Sequence, residues 1–340
     1  MSDGQPVSGS LYIYAPNKGA PVFFTAAFAI SAVFHIWQCH RYRCFKLLGL
    51  HPLCAVLFAV GYALREYEAF NYSYGIGDSL NTRNLLLYII SQVFIYICPP
   101  LLELANYHVL GRIFYYVPYL APLAPGKVLS IFGALMAIVE LVNALGVALA
   151  ANPSSSHTQQ ETGGSLTVAA LAIQLAVIFT FVLLAFMFQW RCYRSNIYSR
   201  TISTPLITLY ISMALILARS IYRLVEHLGN TVVNFDDPAS LRHLSPLLRY
   251  EWYFYIFEAT LMLVNSVLWN IWNPGRYLPR NHHIYLSQDG KTELEMENVS
   301  DNRSFLLKIV SVLTFGLAFH RKESWRLEEL GGNADGLREA

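Results

Sequence analysis

The sequence predicts an all-α integral membrane protein: a bundle of seven transmembrane helices, with the N-terminus outside and the C-terminus cytoplasmic. Three observations predict it. Of 340 residues, 55% are hydrophobic and 14% are charged, against about 25% charged in soluble domains. Seven stretches approach the roughly 20 mainly apolar residues that a helix needs to cross a hydrocarbon core. Lys and Arg gather in alternate loops. Backbone polar groups in lipid must be paired within their own segment, which selects helices. The short alternating segments of a β-barrel are missing.

The spans are expected at 20–38, 51–70, 84–106, 128–150, 166–190, 205–228 and 250–272. The second, sixth and seventh carry charges and are the least apolar. Pro99-Pro100 should kink the third and free a backbone carbonyl, with or without a functional cavity. Residues 151–165, rich in Ser and Gly, read as a mobile polar connector. Trp252, Trp269 and Trp272 fit interfacial belts. The chain divides into an extracellular segment 1–19, a membrane domain 20–272 and a cytoplasmic tail 273–340. The tail reads as charged and extended. Its apolar run 305–319 is too short to span and is expected along the membrane surface or against the bundle. The start lacks a basic segment followed by an apolar one, so the first helix should act as signal anchor.

Orientation follows from the basic residues. Arg41, Arg43, Lys46, Arg112, Lys127, Arg191, Arg194 and Arg200 fall in loops on one side, with Lys18, Arg83, Arg242 and Arg249 on the other. The richer side is expected to be cytoplasmic. The sequon Asn71-Tyr72-Ser73 then lies outside.

Several classes are excluded. A net charge of +2 offers nothing for a nucleic-acid partner. Cys39, Cys44, Cys54, Cys98 and Cys192 have no metal or redox spacing. His35, His40, His51 and His108 share one end of the membrane but lack paired ligand spacing, so no metal is expected. No nucleophile–base pair marks an enzyme, no P-loop marks ATP hydrolysis, and no cofactor is expected. No internal repeat points to an inverted-repeat transporter.

Charges within the spans are the sharpest feature. A charge at a helix centre costs about 2.5–3.5 kcal/mol on insertion scales, so it faces the bundle and finds a partner. Arg219, Arg223 and Glu226 share one face of the sixth span. Glu251, Tyr255, Glu258, Met262 and Asn265 form a stripe on the seventh, and the second adds Arg65, Glu66 and Glu68. The three helices thus deliver charges of both signs into the outer half of the bilayer. Two readings stand: a polar chamber for a lipid headgroup, or an ion-pair network that only fixes packing. The candidate site is Arg65, Arg219, Arg223, Glu226, Glu251, Tyr255 and Glu258. Glu140, with Asn143 a turn on, is either a proton-linked carboxylate or a protonated interior group.

These residues resemble the fungal lipid-translocating exporter family, the group named for resistance to aminocholesterol. The resemblance runs from about residue 12 to 278. It is carried by YIYAPNKGAPVFF, FHIWQ (34–38), GYALR (61–65), Pro99 followed by YHVLGRI (107–113), ARSIYRLVEHLGN (218–230), EWYFYIFEA (251–259) and NPG (273–275). The chain departs from the pattern at Phe58, where Glu is usual, at Met136 and Asn143, where Asp and then Gln are usual, at Glu258 in place of Asp, and at Glu103 in place of a small residue. The resemblance implies a plasma-membrane or endomembrane protein that translocates or exports sphingoid bases or other amphipathic molecules, with membrane lipids as its partners. The alternative is a seven-helix receptor or sensor of lipid homeostasis. A retinal-type sensor is disfavoured because 250–272 contains no lysine for a Schiff base.

Overall fold

The computed structural model describes residues 7, 10–12, 14–71, 82–151, 156–197, 199–229, 245–279, 284–287 and 292–295. All lie in the first of two units, Met1–Val299; the second, Ser300–Ala340, lies outside the described residues, and so does the expected run 305–319.

The long helices are α1 (Ala20–Tyr42), α3 (Leu50–Phe70), α4 (Thr82–Tyr116), α5 (Pro125–Ala151), α6 (His157–Arg194) and α7 (Arg200–Leu228). Short helices α2 (Phe45–Leu48) and α8 (Pro246–Arg249) sit between them. The last long helix, α9, is continuous but composite: Glu251–Phe254 and Leu261–Ile271 are α-helical, and Tyr255–Thr260 is a π turn. Along the chain each long helix packs on the next, α1 on α3 through to α6 on α7. α9 closes against α1 and α7, and α4 also touches α7.

Local chemistry sets the ends. Asn17 Oδ1 accepts from the Gly19 and Ala20 amides ahead of Pro21, which opens α1 with its φ already helical. Arg43, at φ 53°, ends that helix by returning its N–H to Cys39 and His40. Ser156 and Gln159 form a reciprocal capping box at the start of α6. Close crossings need small residues: a Cβ on Gly146 of α5 would stand 2.5 Å from Thr167 Oγ1 of α6.

Among the described residues, six helices are long and apolar enough to cross a membrane: α1, α4, α5, α6, α7 and the segment Glu251–Arg276 that contains α9. α3, broken by Arg65, Glu66 and Glu68 near its end, is not among them. Large apolar side chains such as Phe23 and Val33 on α1, Leu141 on α5 and Phe179 on α6 stand exposed on the outer faces, as lipid contact demands.

Four expectations are corrected. The connector 151–165 is helical from His157 onward, because the capping box starts α6 earlier than its apolar run does. α4 does not end near 106 but continues to Tyr116. Trp269 is no belt residue: it is 1% exposed, donates from Nε1 to Ser212 Oγ at 3.0 Å and packs on His51. The tail is not simply extended, since β1 (Ile284–Leu286) and β2 (Glu293–Glu295) pair antiparallel, Tyr285 opposite Leu294. This ladder lies against α4 and the turn after it: Tyr116 donates to Glu293, and Tyr119 of the 3-10 turn Pro118–Leu120 to the Ser287 carbonyl, each at 2.8 Å.

Candidate functional site

The charged residues are held by α3, α7 and α9, and by a strap of chain ahead of α1. Arg65 of α3 is 2% exposed. Its Nη2 donates to Glu251 Oε1 at 3.2 Å and to the Tyr14 hydroxyl at 3.0 Å, and its Nε to the Tyr255 hydroxyl at 3.3 Å. The guanidinium lies 4.2 Å from the Phe254 ring centre and 4.5 Å from that of Tyr12, stacking that suits a planar, weakly hydrated cation. Glu251 Oε2 accepts the Asn17 backbone N–H at 2.7 Å. Tyr12 donates to Glu68. Burial, opposed by Arg65 and reinforced by the Glu68 carboxylate, pushes the Tyr12 hydroxyl above its ordinary value, which keeps it a donor at neutral pH.

About two turns further along α9 than Glu251, Glu258 is wholly buried and accepts from Arg219 Nε at 2.8 Å, while its Oε2 has no partner among the described residues. Glu258 sits in the π turn. There an extra residue shifts the helix register, so Glu258 and Ala259 both point inward and Tyr255 is left half-buried. Arg223 pairs with Glu226 on the same helix and lies over Tyr96. Tyr222 also reaches Glu226, at 3.4 Å.

The seven residues expected in one chamber are thus brought into three ion pairs, with Tyr255 joined to the first. A cavity of about 30 Å³ lies on the α4, α5 and α6 side of α7 and is lined in part by Arg219, Arg223, His227, Glu140, Asn143 and Gln174. Of the seven, Arg219 and Arg223 reach it. Glu140 therefore shares a cavity with Arg219 and Arg223, an association that has no signature in the sequence. Sequence reasoning also missed Tyr12, Tyr14 and Asn17. Their motif was visible, but uncharged residues give no depth signal. Of the departures from the family pattern, Glu103 accepts from Tyr107 and, at 2.9 Å, from Gln174, and Met136 is buried core.

Past Glu258 the character of the interior changes. Phe58 stacks on Phe28 at 4.5 Å, and both join Met262 and Ile216 in the buried core. Beyond this apolar layer comes a polar cluster with no Asp, Glu, Lys or Arg among its described members. Ser31 and Ser266 share a hydrogen bond of 2.7 Å, and His35 Nε2 reaches Ser266 at 3.2 Å. Asn270 donates to Ser31 at 2.7 Å, and Gln38 to the Asn270 carbonyl at 2.9 Å. The His51 ring stacks 5.7 Å from His35 and 5.0 Å from Trp269. No group of three metal-ligating side chains gathers to hold an ion among the described residues.

Membrane-length helices with apolar outer faces and ionised groups turned inward define a multispanning integral membrane protein. A family profile described as RTA1 like protein matches residues 52–281, and the chain belongs to that family of lipid-translocating-exporter-like proteins. It is 53% identical over 318 residues to the "Lipid-translocating exporter-like protein RTA1" of Leptosphaeria maculans, covering 92% of this chain and 60% of that one. It is 27% identical over 276 residues to "Protein RTA1" of Saccharomyces cerevisiae, 75% of this chain and 81% of the relative. A third relative, the "Sphingoid long-chain base transporter RSB1" of Saccharomyces cerevisiae, is 29% identical over 171 residues, 40% of this chain and 42% of its own length. The chain therefore spans less than two thirds of the Leptosphaeria protein. No solved structure matches it.

Proposed function

We propose that the chain carries amphipathic lipids of the sphingoid-base kind across the membrane, as a seven-span bundle with its N-terminus outside. The span added to the six is α3, second in chain order. Its 21 residues extend about 31 Å at the α-helical rise, enough for a hydrocarbon core. The observation that carries the function is Glu258: a fully buried carboxylate with one oxygen paired to Arg219 and the other unpartnered. An ammonium headgroup, a donor with no acceptor of its own, would find its acceptor in that free oxygen, which the pair with Arg219 holds in place. Arg65 and Glu251, strapped over by Tyr12, Tyr14 and Asn17, close the same side. The names of the relatives, two exporter- or transporter-like, support the reading.

The test is efflux of a labelled long-chain base from cells with and without the protein. Faster efflux with the wild-type chain, lost in Glu258→Gln at equal protein level, is expected. Equal efflux with and without the chain removes the proposal, and binding without movement in liposomes would make it a sensor.

A further inference from the structure

We infer that the uncharged cluster formed by His35, His51, Asn265, Ser266 and Asn270 is a second headgroup site, one that takes hydroxyl or amide groups of a lipid. This rests on the transport reading and adds a second station to it.

The argument starts from unmet hydrogen bonds. A buried polar group left unpaired costs about 1–3 kcal/mol, and native interiors leave few. Here several collect in one place. Both ring nitrogens of His51, both amide atoms of Asn265, Gln38 Oε1 and Asn270 Oδ1 are buried without a hydrogen-bond partner among the described residues. His51 is 1% exposed and Asn265 wholly buried. Packing alone does not require this, because neighbours in the same cluster pair with each other: Ser31 with Ser266, Asn270 with Ser31. The unmatched atoms are a mixture of donors and acceptors. A hydroxyl both donates and accepts, so it matches His51 and Asn265 as an ammonium, which only donates, does not.

Position supports the same reading. The helical rise puts Asn265 about 10 Å further along α9 than Glu258. Between them lies the layer of Phe28, Phe58, Met262 and Ile216. It falls between Arg219 and Ser212 on α7 and between Tyr62 and His51 on α3. The charged site and the uncharged cluster are thus separate stations divided by an apolar septum. The outer faces here are apolar: Val33 and Phe34 on α1 and Val264 and Val267 on α9 stand exposed, so an acyl tail can stay in lipid while its head is held inside.

Trp269 reports directly, since it packs on His51 and donates to Ser212. The experiment measures its emission, as the difference between the wild-type chain and Trp269→Phe in lipid nanodiscs, on adding sphinganine or octadecylamine. The two share an eighteen-carbon chain and an ammonium, and only sphinganine carries hydroxyls. Sphinganine should shift the emission and octadecylamine should not. His51→Phe and Asn265→Leu should abolish that difference, and His51→Gln, which keeps a donor and an acceptor, should preserve most of it. Equal responses to both amphiphiles in the wild-type chain would overturn the second site without recourse to any variant. The two proposals fail separately. If liposome transport is absent yet sphinganine alone perturbs Trp269, the transport reading is lost and the site stands. If both amphiphiles are transported with identical Trp269 responses, transport stands and the site is lost.

Discussion

The two ends of α9 handle buried polarity in opposite ways. At the Glu251 end the acids and bases are drawn into pairs: Arg65 alone engages Glu251, Tyr14 and Tyr255 and lies over two aromatic rings, while single oxygens of Glu68 and Glu258 stay open among the described residues. At the Asn270 end the groups are neutral, and several are unmatched. The difference follows from cost. An unpaired charge away from water is prohibitive, whereas an unpaired amide or imidazole costs a few kcal/mol at most. Each buried charge must therefore find an opposite charge on folding, whereas whole neutral groups such as His51 and Asn265 can hold their hydrogen-bonding capacity open for a ligand.

The largest effect should come from breaking a charge pair. Arg65→Ala strands Glu251 in the interior, and removing one partner of a buried pair costs about 3–5 kcal/mol. The expected outcome is a sharply lower melting temperature in detergent, or no recoverable protein. His51→Ala, at the neutral end, removes no hydrogen bond between described groups and should cost less. If His51→Ala proves the more damaging, the contrast between the ends is broken.

Next comes the second pair. Arg219→Gln and Glu258→Gln should each destabilise the protein, and the double variant should lose less than the two single losses combined. The coupling should lie within the about 0.5–3 kcal/mol seen for directly paired residues. A strictly additive double variant would mean that Glu258 is held by something other than Arg219.

Much of this was legible from the residues, and the failures have specific causes. The stripe from Glu251 to Asn265 could be seen because helical spacing puts an ionised or amide group on one face of an apolar segment. The π turn at Tyr255–Thr260 could not, since one extra residue in a turn is stabilised by packing and has no composition of its own. The early start of α6 was readable in principle: Ser156-x-x-Gln159 is a capping box, but the polar residues after it resemble a loop. Trp269 was assigned by residue type to the membrane interface, and its burial depends on His51 and Ser212 arriving from other helices. Tyr12 and Tyr14 lie in a recognisable motif, yet only the fold reveals that they close over Arg65.

A smaller effect tests that strap. Tyr12→Phe removes the donor to the buried Glu68 carboxyl, and loss of one partner from a buried hydrogen bond costs about 1–3 kcal/mol. The segment ahead of α1 should loosen, read as faster proteolysis near the N-terminus of the folded protein. Protection equal to wild type would mean that Tyr14 and Asn17 hold the strap without Tyr12.

The smallest effect belongs to the neutral end. Ser31→Ala removes the hydroxyl that links Ser266 to Asn270, bonds between uncharged groups worth about 0.5–1.5 kcal/mol each. Ser266 keeps its contact with His35 Nε2 at 3.2 Å, and Gln38 still donates to the Asn270 carbonyl, so the cluster should relax without collapsing. The melting temperature should fall only slightly, and by much less than for Arg65→Ala. A loss as large as that of Arg65→Ala would mean that the serine bridge, and not charge pairing, locks α1 to α9. The uncharged end would then be the rigid part of the bundle, and its unmatched groups could not be capacity held open for a headgroup.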